Sequence, residues 1–323
     1  MAKGPTIAIP GTATSDVSSL GESLRPTDVG DAHYRAFRDA IVSGASRQDI
    51  YTGTEHGYAA RAWAQSSDPA QVAERDLDTR REFDRIRAHM DNLVEPLRRH
   101  YGLEGMSVLE VGCGTGALAV ALGLAGAVVT AVDPTASSLA ACRHRAAYFG
   151  LPLERLRLLH VQPEPGLMFA DRQFDRVVVN SVLEFIPERR AEHVRDWVRV
   201  LRRDGLLVIS AENGWFPRDY YSGMLLPRLR RRTCIATNRP FGPTWRELRC
   251  WAAASGRMID DLSVENRFNS IDKLAARVHA RGHRRLGGVL RTANRWLKQC
   301  CSRIGVPADV LLPYATSVFR VKD

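Results

Sequence analysis

Val108-Leu-Glu-Val-Gly-Cys-Gly-Thr-Gly116 is the stretch that decides the fold. Its first half, from Ser107 to Val111, is a short apolar strand. After Gly116 comes a helix-forming run carrying Leu118, Ala121, Leu122 and Ala125 on one face. A glycine-rich turn between a strand and a helix is the setting of a nucleotide-binding loop. Gly112, Gly114 and Gly116 let the backbone turn sharply and approach a ligand where a Cβ would collide. Seventeen residues after Gly116, at the end of a second strand over 128–132, stands Asp133, placed to accept ribose hydroxyls. The bland alternative is a tight turn without a ligand. Strand, loop, helix, strand and terminal acid in register favour binding.

Outward from that centre, strand and helix keep alternating. A helix over 136–149 closes at Gly150, and strands come next at 156–161 and 176–179. A helix over 188–201 precedes an Asp204-Gly205 turn and a fifth strand, 206–210. Thr244-Trp-Arg-Glu247 reads as a capping box opening a helix to about Ser255. A sixth strand over 258–264 and a last alternating one over 317–321 complete the set. This pattern predicts an α/β fold: a doubly wound, mostly parallel seven-stranded sheet with its last strand antiparallel. Residues 1–30 read as a disordered tail, and 31–101 as an N-terminal helical cap segment ending at Gly102. Residues 102–264 form the core with a cap insertion at 211–243, 265–312 a basic helical insertion, and 313–323 the final core strand. Extra length falling after strands five and six places the 211–243 and 265–312 insertions, with part of 31–100, over the carboxy ends of the strands, as a substrate lid.

The loop itself narrows the ligand. A dinucleotide site spaces its glycines G-x-G-x-x-G to seat a pyrophosphate on a helix amino end. Here the spacing is G-x-G-x-G, with Glu110 inside the motif. An acid there repels a pyrophosphate and suits a cation.

Residues 108–116 resemble the first motif of class I, Rossmann-like S-adenosylmethionine-dependent methyltransferases. Val129-Thr-Ala-Val-Asp133-Pro134 resembles the second, Phe174-Asp175 with 177–186 the fourth-strand motif, and 201–210 the fifth-strand motif. The resemblance is closest to small-molecule methyltransferases such as the ubiquinone-pathway O-methyltransferase group. It implies S-adenosyl-L-methionine as cofactor. Glu110 and the backbone of Gly112, Cys113, Gly114 and Gly116 would hold the methionine part. Asp133 would take the ribose, Pro134 the adenine, and Asn180 would face the methionine or the transferring methyl. Where the family shows Gly-Asp after the third strand, this chain has Gln162-Pro163-Glu164, so Gln162 or Glu164 would replace the adenine contact. No metal ligand set is read from the sequence.

The expected reaction is in-line transfer of a methyl group to a small-molecule or lipid-like biosynthetic substrate, with oxygen as the first acceptor atom and nitrogen as the second. An RNA methyltransferase, or a cofactor-binding protein without turnover, is the alternative. A hydroxyl acceptor has a proton to lose and calls for a general base. His160, His193 and Glu184 are the candidates, each with a bland reading beside it: His160 structural, His193 solvent-exposed, Glu184 a helix-start or supporting residue.

Composition bounds the setting. Hydrophobic residues make 45% of the chain and charged ones 25%, which excludes wholesale disorder. Six cysteines without paired spacing fit a reduced, cytoplasmic location. The longest apolar run, Ala117 to Val129, is too short to span a bilayer. The net charge of +10 is concentrated late in the chain: residues 273–303 hold nine Lys or Arg and no Asp or Glu. Such a run suggests an anionic substrate or peripheral contact with a membrane, against the plainer reading of a solvated charged face packed by its leucines. Nucleic acid is disfavoured because no RNA-binding signature accompanies it.

Overall fold

The computed structural model describes residues 86–162, 164–184, 186, 189–216, 242–265, 283–312 and 314–323. The expected tail, most of the N-terminal cap, most of the 211–243 insertion and residues 266–282 of the 265–312 insertion lie outside the described residues.

A helical stretch enters through a π-turn at Met90–Val94 and continues as α1 (Glu95–Tyr101). Gly102 ends it at φ 76°, a conformation that favours glycine. The core then runs β1 (Ser107–Val111), α2 (Ala117–Leu124), β2 (Val128–Asp133), α3 (Ala136–Tyr148), β3 (Leu156–His160) and β4 (Phe174–Asn180). After these come α4 (Arg190–Arg199), β5 (Leu201–Glu212), α5 (Trp245–Ala253), β6 (Ile259–Asp261), α6 (Arg284–Arg303) and β7 (Tyr314–Val321).

The seven strands form one sheet in the order β3-β2-β1-β4-β5-β7-β6. β1 to β5 pair in parallel, and β7 inserts antiparallel between β5 and β6. This is the doubly wound arrangement expected, with its topological switch between β1 and β4. Two apolar layers sandwich the sheet. Ile86, Leu97, Val120 and Ala146 pack on one side, and Leu183, Val194, Trp197 and Leu248 on the other.

Three local expectations are corrected. α2 is not amphipathic: Ala117 to Gly123 are all buried, as befits a helix sealed between the sheet and its neighbours. β5 begins at Leu201 rather than 206, because Asp204-Gly205 is not a turn before the strand but an irregularity within it. Phe174 pairs with Leu201 and Arg176 already with Leu206, and Asp204 takes φ 58° to absorb the surplus residues. β6 is cut to three residues, its ladder ending with Asp261 opposite Phe319.

The capping box is present. Thr244 Oγ1 accepts from Glu247 N at 3.2 Å, while Glu247 Oε2 accepts from Thr244 N at 2.7 Å. Thr244→Ala removes one half of this exchange and is expected to cost about 1 kcal/mol in urea unfolding, with the midpoint falling and the slope unchanged.

Candidate functional site

Parallel strands and helices that wind in opposite directions from β1 and β4 leave a crevice at the strands' carboxy ends. Val111 pairs with Val179, so the chain leaves β1 into the glycine loop beside the point where it leaves β4 at Asn180. Val132 pairs with Val111, which brings Asp133 to the same edge.

The three loop glycines all have positive φ, 67° at Gly112, 53° at Gly114 and 81° at Gly116, but they serve different ends. A Cβ on Gly112 would lie 2.5 Å from Val182 Cγ2, and one on Gly116 would lie 2.6 Å from Cys142 Cβ. Those two glycines therefore permit packing against the post-β4 segment and α3. Around Gly114 nothing lies within 4 Å of the added carbon, so this glycine alone of the three borders open space. Arg145, buried on α3, donates from its guanidinium to the Thr115 carbonyl and ties the loop down from below.

The loop's amides are largely committed within the protein. Gly112 N and Cys113 N donate to the Val132 carbonyl at 2.9 and 3.0 Å, and Gly116 N to the Cys113 carbonyl at 2.9 Å. Gly114 N donates to Asp133 Oδ2 at 2.8 Å. An anion nest needs its amides aimed at the ligand. Amides turned inward leave no such nest, which argues against a pyrophosphate independently of glycine spacing.

Glu110 lies immediately before the loop, buried, and its Oε2 has no hydrogen-bond partner. Burial, reinforced by the neighbouring Cys142 and Asp133, pushes its carboxyl well above the ordinary value. An unsatisfied carboxyl oxygen in such a place is costly until a cation or donor meets it. Asp133 is buried too. Burial raises its carboxyl, opposed by hydrogen bonds from the Gly114 amide and from the amide and side chain of Thr135, the Thr135 amide at 2.9 Å to Oδ1. Asp133 thus accepts from three donors, and the two oxygens of a carboxylate together offer about four lone-pair positions.

The remaining sequence candidates spread along the rim and into the interior. Pro134 succeeds Asp133 at the rim and is partly buried; its carbonyl accepts from His160 Nε2 at 2.7 Å. His160 is thereby a brace for the β2–α3 turn. Gln162 is exposed, and Glu164 pairs with Arg189 at 3.3 Å on the surface. Cys113 is buried inside the loop. Asn180 ends β4 opposite Ser210.

Two expectations about the other candidates are corrected. His193 is buried, not solvent-exposed: it lies 6.0 Å from the Trp197 ring, one turn on along α4, and burial lowers its imidazole. Glu184 does not start a helix, since α4 begins at Arg190. It is fully buried, and its Oε1 accepts from Glu212 N at 2.7 Å, clasping the ends of β4 and β5 together.

Sequence reasoning missed a hydroxyl cluster at the same edge. Ser181, directly after β4, has φ 56°, a conformation uncommon for a residue other than glycine and concentrated at functional sites. Its Oγ bonds the Tyr314 hydroxyl, which also donates to the Ser210 carbonyl at 3.2 Å. Tyr314 opens β7, about 130 residues away, so no local pattern could have joined them. Cys142 and Arg145, which floor the loop, were also missed. Their signal was the spacing of Ser138, Cys142, Arg145 and Ala146, all buried on one face of α3.

Residues 109–209 match the family described as Methyltransferase domain. Over 135 residues the chain is 33% identical to the ubiquinone biosynthesis O-methyltransferase of Haemophilus ducreyi, covering 38% of this chain and 54% of that one. The mitochondrial ubiquinone biosynthesis O-methyltransferase of Mus musculus is 29% identical over 126 residues, covering 38% of this chain and 34% of that one. The chain thus spans about half or less of the length of these curated relatives. A solved S-adenosylmethionine-dependent methyltransferase from Mesorhizobium loti superposes with a TM-score of 0.45 at 17% identity, covering 70% of this chain and 95% of that one.

Proposed function

We propose, from the premise that this chain carries a class I S-adenosylmethionine-dependent methyltransferase domain, that it transfers a methyl group to an oxygen of a small-molecule or lipid-like acceptor. The observation that carries the reading is Glu110, a buried carboxyl with an unpartnered oxygen before a loop whose amides are turned inward. Those features favour a ligand that presents a cation and no phosphate. The donor supplies an already activated methyl on a sulfonium. The protein's share is to bind, orient and exclude water. Glu110 receives the ammonium of the methionine part, and the open face at Gly114 admits the chain beside it. Asp133 takes the ribose on the acceptor capacity that its bonds to Gly114 and Thr135 leave over.

The acceptor side is drawn from Asn180, Ser181 and Tyr314. A hydroxyl acceptor suits a wall that is itself built of hydroxyls able to donate or accept. His193 and Glu184 are committed to the interior and His160 to Pro134, so none of the three is assigned as the base. The names of the ubiquinone-pathway relatives also favour oxygen over nitrogen.

Calorimetry with S-adenosylhomocysteine tests the cofactor side. Asp133→Ala is expected to weaken binding roughly 10- to 100-fold, the worth of a charged hydrogen-bond partner. Unchanged affinity would contradict the ribose role, and a wild-type chain that ignores the ligand at millimolar concentration would sink the whole reading. The acceptor atom is read by mass spectrometry and NMR of products from a panel of phenols and amines.

A further inference from the structure

α6 sits on the body by one narrow face. Gly287, Asn294 and Cys301, at seven-residue intervals, are its buried positions, rather than the leucines. The adjoining face is open. Leu286 is 53% exposed, Val289 64% and Trp296 67%, with Ile304 just beyond the helix at 73%. Leu286, Val289, Ala293 and Trp296 recur at steps of three and four, so they form a single stripe. At 100° per residue, Arg285 and Arg303 fall beside Trp296 at the border of that stripe, and both are exposed.

The helix is also fixed in place. It contacts the short turn Ala308–Leu311, and the carbonyls of Asp309, Val310 and Leu312 accept from Asn213 Nδ2 at 3.3, 2.9 and 2.8 Å. Asn213 comes directly after β5, so α6 is anchored at the same strand edge as the glycine loop. Leu311 and Trp215 add exposed apolar surface near this anchorage, at 56% and 58%.

The geometry points to α6 as a docking helix for an anionic lipid bilayer: its Leu286–Val289–Ala293–Trp296 stripe enters the interfacial region while Arg285 and Arg303 meet the lipid phosphates. An apolar stripe bordered by cations, with tryptophan at its margin, matches the two components of interfacial binding, buried apolar area and attraction to anionic headgroups. A second copy of the chain fits poorly, because residues 273–303 carry nine cations and no acid and would meet their like. A nucleic acid would engage the arginines but leave Leu286 and Val289 without a role.

Co-sedimentation of the full chain with large vesicles tests this. Binding is expected to phosphatidylglycerol-containing vesicles and not to pure phosphatidylcholine, and to fall at high salt. Leu286→Ser/Val289→Ser/Trp296→Ser should lower the partition coefficient at least 10-fold, and Arg285→Gln/Arg303→Gln roughly 10- to 30-fold. All five positions are exposed, so melting temperature and circular dichroism should stay at wild-type values. The proposal is overturned by vesicle binding that neither variant changes, or by no binding to anionic vesicles. It is also overturned if the triple variant converts a dimer to a monomer on gel filtration without vesicle binding having been present, or if RNA rather than vesicles is retained through the arginines.

Discussion

Glu110→Gln is expected to weaken S-adenosylhomocysteine binding by roughly 10- to 100-fold and, at the same time, to flatten the pH dependence of both binding and stability. The affinity loss is that of a charged hydrogen bond, about 1.5–3 kcal/mol. The pH effect arises from the raised carboxyl of Glu110 in the folded chain, caused first by burial. A glutamate in the unfolded chain titrates near about 4.3. Because the folded value is higher, this group's contribution to stability is fully present below about pH 4.3 and is lost as pH rises through the folded value. Ligand affinity runs the other way. An ammonium prefers the ionised carboxylate, so binding expels a proton and tightens as pH rises across the same window. Calorimetry in buffers of differing ionisation enthalpy should report net proton release on binding for wild type, and less for the variant. Proton uptake by wild type, or an affinity that ignores the substitution, would remove Glu110 from the site.

Gly116→Ala is expected to be strongly destabilising. Its Cβ would lie 2.6 Å from Cys142 Cβ and 3.1 Å from Cys142 Cα, and that last contact is with backbone that cannot swing aside. The φ of 81° adds a penalty of about 1 kcal/mol or more for any side chain. Overpacking adds about 1–3 kcal/mol, so the total is a sizeable share of the roughly 5–15 kcal/mol that holds a typical domain together. The midpoint of urea unfolding should fall sharply. Gly114→Ala supplies the contrast, since it meets nothing within 4 Å and pays only for its φ of 53°. It should unfold nearly as wild type does while binding S-adenosylhomocysteine worse, because its methyl enters the open space. Equal melting of the two alanine variants would refute this division of labour among the glycines.

The periodic parts of the chain disclosed themselves. β1 to β4 are apolar runs bounded by glycine or charge, and the strand-loop-helix order around Gly112–Gly116 left little freedom of interpretation. Local chemistry misled where it was read without its surroundings. Asp204-Gly205 has the composition of a turn, and it does turn, but neighbouring β4 holds the chain in the ladder on both sides, so the strand runs through it. His193 stands among Arg190, Glu192 and Arg195 and so looked wet. It shares its face with Val194, Trp197 and Val198, all buried, and that face prevailed. The positions of Glu110 and Asp133 beside the glycine loop were legible because the motif places them there. Ser181 and Tyr314 were not, since each acquires its partner from a distant element, and contacts of that kind leave no trace in spacing.

The antiparallel placement of β7 has a consequence for how such a chain can diversify. Its ladder to β5 joins Tyr314 to Glu212 and its other edge carries β6, so the stretch from 213 to 313 leaves and rejoins the sheet side by side and is divided by α5 and β6 into two connections. The entropic cost of closing a flexible loop grows only logarithmically, about 0.6 kcal/mol for each doubling of length. Segments can therefore be lengthened, replaced or re-charged within those two connections, outside α5 and β6, with little effect on whether the sheet assembles. The glycine loop stays under the tight steric control of its neighbours, while those connections are left open to evolutionary experiment.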